Sequence, residues 1–300
     1  MKIAVTGAFS YSGKYITKRL LEHGEEIVTL TGHPNRPDPF DGQVKAYPLD
    51  FDEAGMTKSL QGVDVLVNTY WVRFDKEENT QPRAVKNTQI LVNAAKAAGV
   101  KRIVHISIAN PSAESHLPYY WGKAANEKAV TESGLSYAIL RPTVLIGKED
   151  ILINNIAYLL RRFPIFALPG DGSYGIQPVY VDDLAKLAVE GVYSNENYII
   201  DAVGPDIFSF KEMVELIGEK IGSKRTLIPF PPQLALLAAQ FLSLFVNDVL
   251  LTPEEVDGLM AGLLVSSEPP RCETRLADWL EKNKDTVGKE YASEVKRHYS

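Results

Sequence analysis

Ile3-Ala4-Val5 is an apolar run closed by Thr6-Gly7, and from Gly13 to Glu22 the apolar residues Tyr15, Ile16, Leu20 and Leu21 recur at helical spacing. A strand, a glycine turn and a helix in direct succession put Thr6-Gly7-Ala8-Phe9-Ser10-Tyr11-Ser12-Gly13 at a helix N-terminus. Free backbone N–H groups and the helix dipole favour a phosphate there. A turn of this kind after the first strand is where the pyrophosphate of a dinucleotide lies, so Gly7, Phe9, Ser10, Tyr11 and Gly13 are the expected contacts. The middle position of the G-x-x-G-x-x-G spacing is Ser10. Its Cβ narrows the backbone approach, while its hydroxyl and that of Ser12 can donate to an anion. The plain structural alternative is a tight turn with no ligand.

The same unit repeats along the chain. Residues 26–30, 63–67, 102–106 and 136–140 read as strands, and 88–98 and 123–133 as helices. Strands alternating with helices of this length mean crossover connections, hence an α/β fold of Rossmann type, a doubly wound parallel sheet with helices on both faces. Beyond Arg141-Pro142 the pattern loosens into a helix at 151–162 and a Pro/Gly-rich loop at 163–175, followed by a strand–helix–strand return over 178–181, 182–193 and 198–201. Residues 210–221, 234–246, 253–264, 273–283 and 287–299 read as helices punctuated by prolines. The expectation is a sheet domain of residues 1–147 plus 176–203, interleaved with a smaller, mainly helical C-terminal cap of 148–175 plus 204–300.

With 300 residues, 45% hydrophobic and 23% charged, the composition is that of an ordinary globular chain. The net charge of −6, with no basic stripe, gives a nucleic-acid partner no footprint. A single cysteine, Cys272, excludes an internal disulfide, and the five histidines show no metal-ligand spacing and read as surface or helix-end residues. No secretory signal pattern opens the chain, which points to the cytoplasm. The apolar stretch from Leu234 to Val246 is thirteen residues long, short of the ~20 that span a bilayer. It reads as a buried cap helix, or as a helix that docks a protein partner, lines a lipophilic pocket or touches a membrane surface.

Cofactor choice is read after the second strand, where an Asp or Glu would hold a ribose 2′-hydroxyl and repel a 2′-phosphate. The sequence there is Thr31-Gly32-His33-Pro34-Asn35-Arg36, without an acid. Thr31, His33, Asn35 and Arg36 can meet a phosphate, which favours NADP over NAD. Asp50 can accept from an adenine amino group and Phe51 can offer its backbone N–H.

Thr6 to Gly13, Leu49-Asp50-Phe51, Gly62-Val63-Asp64-Val65-Leu66-Val67-Asn68, His105-Ile106-Ser107 and Tyr119 to Lys123 follow one another in an order that resembles the short-chain dehydrogenase/reductase superfamily, in its extended and atypical branches. Leu140-Arg141-Pro142-Thr143-Val144-Leu145-Ile146-Gly147 and Gln177-Pro178-Val179-Tyr180-Val181-Asp182-Asp183-Leu184-Ala185 look more like the epimerase-like group that includes the nucleotide-binding accessory subunit of respiratory complex I. The resemblance implies that Asn68, Thr69, Tyr70, Lys123, Pro142, Thr143 and Val144 line the cofactor, and that Ser107, Tyr119 and Lys123 form a catalytic set. On a helix Tyr119 and Lys123 share a face, where an ammonium lowers a phenol's pKa toward acid–base use. Tyr119 can equally be a packing aromatic beside Tyr120 and Trp121, and a lysine here also binds the nicotinamide ribose in non-catalytic relatives. Small residues usually follow the fourth strand in this family, whereas Asn68-Thr69-Tyr70-Trp71 puts two large aromatics there. They can wall a pocket or fill it. Two functions follow: an NADP-dependent oxidoreductase or epimerase-like enzyme acting on an unidentified small or lipophilic substrate, or a non-catalytic NADP-binding scaffold, assembly or regulatory protein.

Overall fold

The computed structural model describes residues 1–33, 36–75, 78–231, 233 and 252–293. These divide into two units, Met1–Pro142 with Val181–Ala202, and Thr143–Tyr180 with the residues from Val203 onward. In the first unit the chain runs β1 (Lys2–Thr6), α1 (Tyr11–Glu22), β2 (Glu26–Thr31), β3 (Lys45–Pro48), α2 (Glu53–Ser59), β4 (Val65–Asn68), α3 (Gln81–Ala97), β5 (Arg102–Ile106), α4 (Pro118–Thr131) and β6 (Ser136–Pro142), and closes with α6 (Val181–Tyr193) and β11 (Tyr198–Ala202). The seven strands form one sheet in the order β11-β6-β5-β4-β1-β2-β3, every neighbour parallel. The expected doubly wound Rossmann sheet is present. Chain direction across the sheet reverses at β1, which opens a crevice beyond the C-terminal ends of β1 and β4.

The strands are short apolar runs because both faces are covered. Ala4, Val28, Leu30, Leu66, Ile103 and Ile139 pack against Met56, Leu91, Val92, Ala95 and Val130 of α2, α3 and α4 and against Leu60 just after α2. On α1, Ile16 and Leu20 are wholly buried, and Arg19 Nε donates to Asp182 of α6 at 2.7 Å. Arg102, 4% exposed, donates from Nε to the Gly191 carbonyl and from a terminal nitrogen to that of Glu196, both at 2.7 Å, and also to Ser136. That fork ties β5 and β6 to the far end of α6.

The second unit holds β7 (Val144–Ile146), α5 (Leu152–Arg162), β8 (Ile165–Pro169), β9 (Gly175–Ile176), β10 (Pro178–Tyr180), β12 (Phe208–Ser209), α7 (Phe210–Lys220), β13 (Thr226–Phe230), α8 (Pro253–Met260) and α9 (Leu276–Asn283). Its core joins Ile153, Ile156 and Leu160 of α5 to Met213, Val214 and Ile217 of α7 and Leu276, Trp279 and Leu280 of α9. Capping boxes start α7 at Ser209 with Glu212 and α8 at Thr252 with Glu255.

Three sequence expectations change here. The loop at 163–175 contains β8, which pairs in parallel with β13 despite Pro169 at the end of the one and Pro229 within the other. The strand at 178–180 pairs with β7 and not with the main sheet, so the chain leaves the first unit at Pro142 and re-enters at Val181. Residues 287–293 are not helical. Gly288 takes φ +67, and a Cβ on it would stand 2.5 Å from Ala157, so this segment lies as an irregular turn against α5. The helix expected over 234–246 lies outside the described residues, as do 294–300.

Replacing Arg102 by Met leaves the buried Gly191 carbonyl without a donor and removes the part-buried bonds to Glu196 and Ser136. Urea denaturation should show the first unit destabilised by roughly 2–4 kcal/mol, whereas a loss under about 0.5 kcal/mol would mean that the fork is dispensable.

Candidate cofactor site

The Gly7 N–H donates to the Leu30 carbonyl at 2.9 Å, and Gly7 takes φ +65, a conformation that disfavours other residues. A Cβ on Gly13 would lie 2.2 Å from the Gly7 carbonyl oxygen, so α1 starts directly against the turn and admits no side chain there. Ala8 N donates to Thr29 Oγ1 at 3.0 Å, and that hydroxyl donates to the Val5 carbonyl at 2.8 Å, fixing the turn to β2. Ser10 Oγ turns back to donate to the Gly7 carbonyl at 2.5 Å and does not cap α1. Its proton is therefore spent inside the turn, and the donors offered to an anion are backbone N–H groups. A helix start without its serine cap and two glycines that a Cβ would crowd fit a dinucleotide's pyrophosphate. Phe9 is half-buried with its ring 6.3 Å from that of Phe40.

The strand ends beyond this turn are joined by a buried polar row. Thr6 Oγ1 donates to Asn68 Oδ1 at 3.2 Å, and Asn68 Nδ2 donates to His105 Nδ1 at 3.1 Å. Thr69 donates from N to Thr6 Oγ1 at 2.7 Å and from Oγ1 to the Thr6 carbonyl at 2.6 Å, while Tyr70 N donates to Asn68 Oδ1 at 3.0 Å. Asn68 is thus a structural joint, 1% exposed. Tyr70 lies with its ring 4.8 Å from that of Phe51 and accepts from Asn87 Nδ2 at 3.0 Å; burial raises its phenol pKa. Phe51 takes φ +59, and exposed Asp50 accepts from Asp52 N at 3.1 Å. At the second-strand loop, Thr31 is 6% exposed and its hydroxyl accepts from His33 N at 3.0 Å, so it shapes the loop from beneath. Arg36 is half-buried and donates from N to the His33 carbonyl at 3.2 Å; residue 35 is outside the described set.

His105 corrects the reading of the histidines as surface groups, since it is fully buried on β5. With Nδ1 accepting, the ring's proton sits on Nε2, which is buried and has no partner. Burial first, and the charge of Lys123 second, push its pKa down to about 3.

The residues proposed for catalysis are each engaged with protein groups. Ser107, 4% exposed, donates from Oγ to Glu127 Oε1 at 2.5 Å. Glu127 also accepts a two-pronged ion pair from Arg141, at 2.9 and 2.6 Å. Lys123 is 3% exposed and donates from Nζ to the Ile106 carbonyl at 3.0 Å, beneath the ring of Trp71, whose centroid is 5.0 Å away. Burial pushes the Lys123 pKa down to about 7, against the opposing pull of Glu127. Tyr119 is half-buried, edge-on to Trp71 at 5.8 Å and 89° and to Tyr120 at 5.8 Å. Pro142 ends β6, whereas Thr143 and Val144 belong to the second unit, where Thr143 Oγ1 donates to the Gln177 carbonyl and Val144 pairs with Pro178. Sequence reasoning missed Glu127, Arg141 and His105. Glu127 carried a signal, since it stands one turn after Lys123 on the same helix face.

A model of a family described as NAD(P)H-binding matches residues 7–156, half of the chain. The chain belongs to this NAD(P)H-binding family. Among curated relatives, NADH dehydrogenase (ubiquinone) 1 alpha subcomplex subunit 9, mitochondrial, of Arabidopsis thaliana is 26% identical over 252 residues, covering 78% of this chain and 62% of that protein. The Mus musculus protein of the same name is 27% identical over 242 residues, covering 76% and 62%. This NAD(P)H-binding chain therefore spans about three fifths of the length of those relatives. Its fold is shared by a solved NADPH-dependent quinone oxidoreductase of Escherichia coli, with TM-score 0.75 and 23% identity over 93% of this chain and 99% of that one. A UDP-N-acetylglucosamine 4-epimerase from Bacillus cereus gives TM-score 0.70 at 18% identity, covering 97% of both. The expected likeness to the complex I accessory subunit is found, and the fold is the one seen in the solved epimerase and reductase. Among the described residues no helix is long and apolar enough to cross a membrane, and no cluster of His, Cys, Asp or Glu could hold a metal.

His105 makes the stability of the fold pH-dependent. Between its ordinary value of 6.5 and about 3, the unfolded chain binds a proton that the folded one refuses, so stability is lost as pH falls through that window. A His105→Gln variant should show a shallower fall in unfolding free energy between pH 6 and 4, by up to one proton, or about 1.4 kcal/mol per pH unit. Denaturant titrations across that range with parallel slopes for the two proteins would contradict the assignment.

Proposed function

We propose that this chain is an NADP(H)-binding scaffold or regulatory protein that holds its cofactor at the glycine turn without passing protons through Ser107, Tyr119 and Lys123. One observation carries the reading: the Lys123 ammonium is directed at the Ile106 carbonyl beneath Trp71. A Tyr–Lys pair at work needs that ammonium beside the phenol, and a serine that offers its proton to a substrate oxygen. Here the serine proton goes to Glu127, whose other bonds hold Arg141.

When bound, the nicotinamide would supply or take a hydride. The chain's own residues would hold the cofactor: Gly7, Phe9, Ser10, Tyr11 and Gly13 at the pyrophosphate, Asp50 and Phe51 at the adenine, and Asn68, Thr69 and Tyr70 along the crevice. His33 and Arg36, after a second strand that ends without an acid, support NADP over NAD. A docking role on a larger protein assembly is supported by the names of the curated relatives, which are subunits of an NADH dehydrogenase. The second reading, an oxidoreductase acting on a carbonyl or hydroxyl, draws on the half-buried Tyr119 phenol one helical turn before Lys123.

Calorimetric titration should give saturable NADPH binding. Arg36→Ala should weaken NADPH by about 1–3 kcal/mol and leave NADH nearly unchanged; equal losses would show that Arg36 does not read the 2′-phosphate. Over a panel of carbonyl substrates, wild type and Tyr119→Phe should both lack NADPH-dependent turnover. Turnover that Tyr119→Phe abolishes while NADPH affinity stays intact would establish the enzyme instead.

A further inference from the structure

Trp71 leaves the loop after β4 and enters a notch between α3 and α4. The place a Cβ would take on Gly122 is 2.5 Å from the Cη2 of Trp71 and 3.0 Å from its Cζ2, with Val85 Cγ2 at 3.4 Å. Side-chain carbons do not approach so closely, so the indole is seated only because residue 122 has no side chain. Glycine in a helix interior is unfavourable against alanine, and here the whole gain is room for that ring. Tyr119 packs against one edge of the indole, and the Lys123 ammonium lies under its face. The indole N–H is itself buried and unpartnered. Seating the ring therefore leaves a donor unsatisfied, and packing and the contact with the ammonium hold it there against that cost.

We propose that Trp71 is a plug and Gly122 its seat: together they position Lys123 inward, onto the Ile106 carbonyl, and close it to any ligand. The inference rests on the reading of Lys123 as withdrawn from acid–base work and names the residues that withdraw it. Ser107, Glu127 and Arg141 are held by hydrogen bonds of their own in which the indole takes no part, so displacing it should free Lys123 without breaking them.

The test is acylation of the full-length protein with an amine-reactive N-hydroxysuccinimide ester, with labelling rates read lysine by lysine by peptide mass spectrometry. In wild type, Lys123 should be protected, while Lys101 and Lys128, with side chains 77% and 72% exposed, react fast. Trp71→Ala empties the notch. Gly122→Ala fills it, by evicting the indole, and adds a better helix former, so that it remains informative should Trp71→Ala fail to fold. Both should raise Lys123 labelling about tenfold or more, with the far-ultraviolet spectrum and the labelling of the surface lysines unchanged. Lys123 equally protected in the folded variants, or as reactive as the surface lysines in wild type, would overturn the plug. No cofactor enters this measurement, so a failure of wild type to bind NADPH would sink the cofactor reading while leaving the result on Trp71 to stand.

Discussion

A row of buried hydrogen bonds from Thr6 through Asn68 to His105 fixes the edge of the sheet on which everything else is built. These residues sit at the C-terminal ends of β1, β4 and β5, where Asn68 and His105 are register partners. Each bond is shielded from water, and each partner would be costly to leave alone, so the three strand ends are held at one height. From that line the three loops depart: Gly7 to Gly13 toward α1, Thr69 to Trp71 toward α3, and Ser107 onward toward α4. Thr69 and Tyr70 bond back to Thr6 and Asn68, which fixes where the chain is when it reaches Trp71.

The chemistry of the site follows from what this frame leaves buried. Lys123 pays for its burial with a depressed pKa and has one hydrogen bond, to Ile106, with an aromatic face above it. Ser107 is closed off differently, by a carboxylate that Arg141 holds in place. The proposed cradle of backbone and glycine at the start of α1 is of a different kind from Ser107 and Lys123, whose polar atoms bond to Glu127 and the Ile106 carbonyl. On the proposed reading, cofactor binding and proton transfer are physically separable in this chain: the first would depend on Gly7, Gly13 and the start of α1, the second on groups the surrounding packing has enclosed.

The first unit was legible because its signals are local. The turn at Thr6 to Gly13, the apolar runs of β1, β2, β4 and β5 and the helical periodicity of α1 each need only neighbouring residues to be recognised. The second unit was less so, since its strands are two to five residues long and find partners far along the chain, as β8 does with β13 and β7 with β10. No periodicity marks such pairs, and the prolines at 169 and 229 read as loop signals although they close or lie within paired strands. Over 287–293 the expected helix is absent because docking onto α5, not local propensity, decides the conformation at Gly288. In the site, residue identities were readable and directions were not. Tyr119 and Lys123 share a helix face in any reading of the spacing, but that Lys123 turns inward depends on Trp71, about fifty residues away in the chain, and on the absence of a side chain at Gly122.

The central claim is that this chain binds its cofactor while Lys123 stays enclosed, and an experimental structure with NADPH bound measures both at once. The account expects the dinucleotide at the Gly7 to Gly13 turn, with Lys123 Nζ still on the Ile106 carbonyl and the indole of Trp71 still seated at Gly122. A lysine turned outward to bridge the Tyr119 phenol and a cofactor ribose, with the indole displaced, would contradict it.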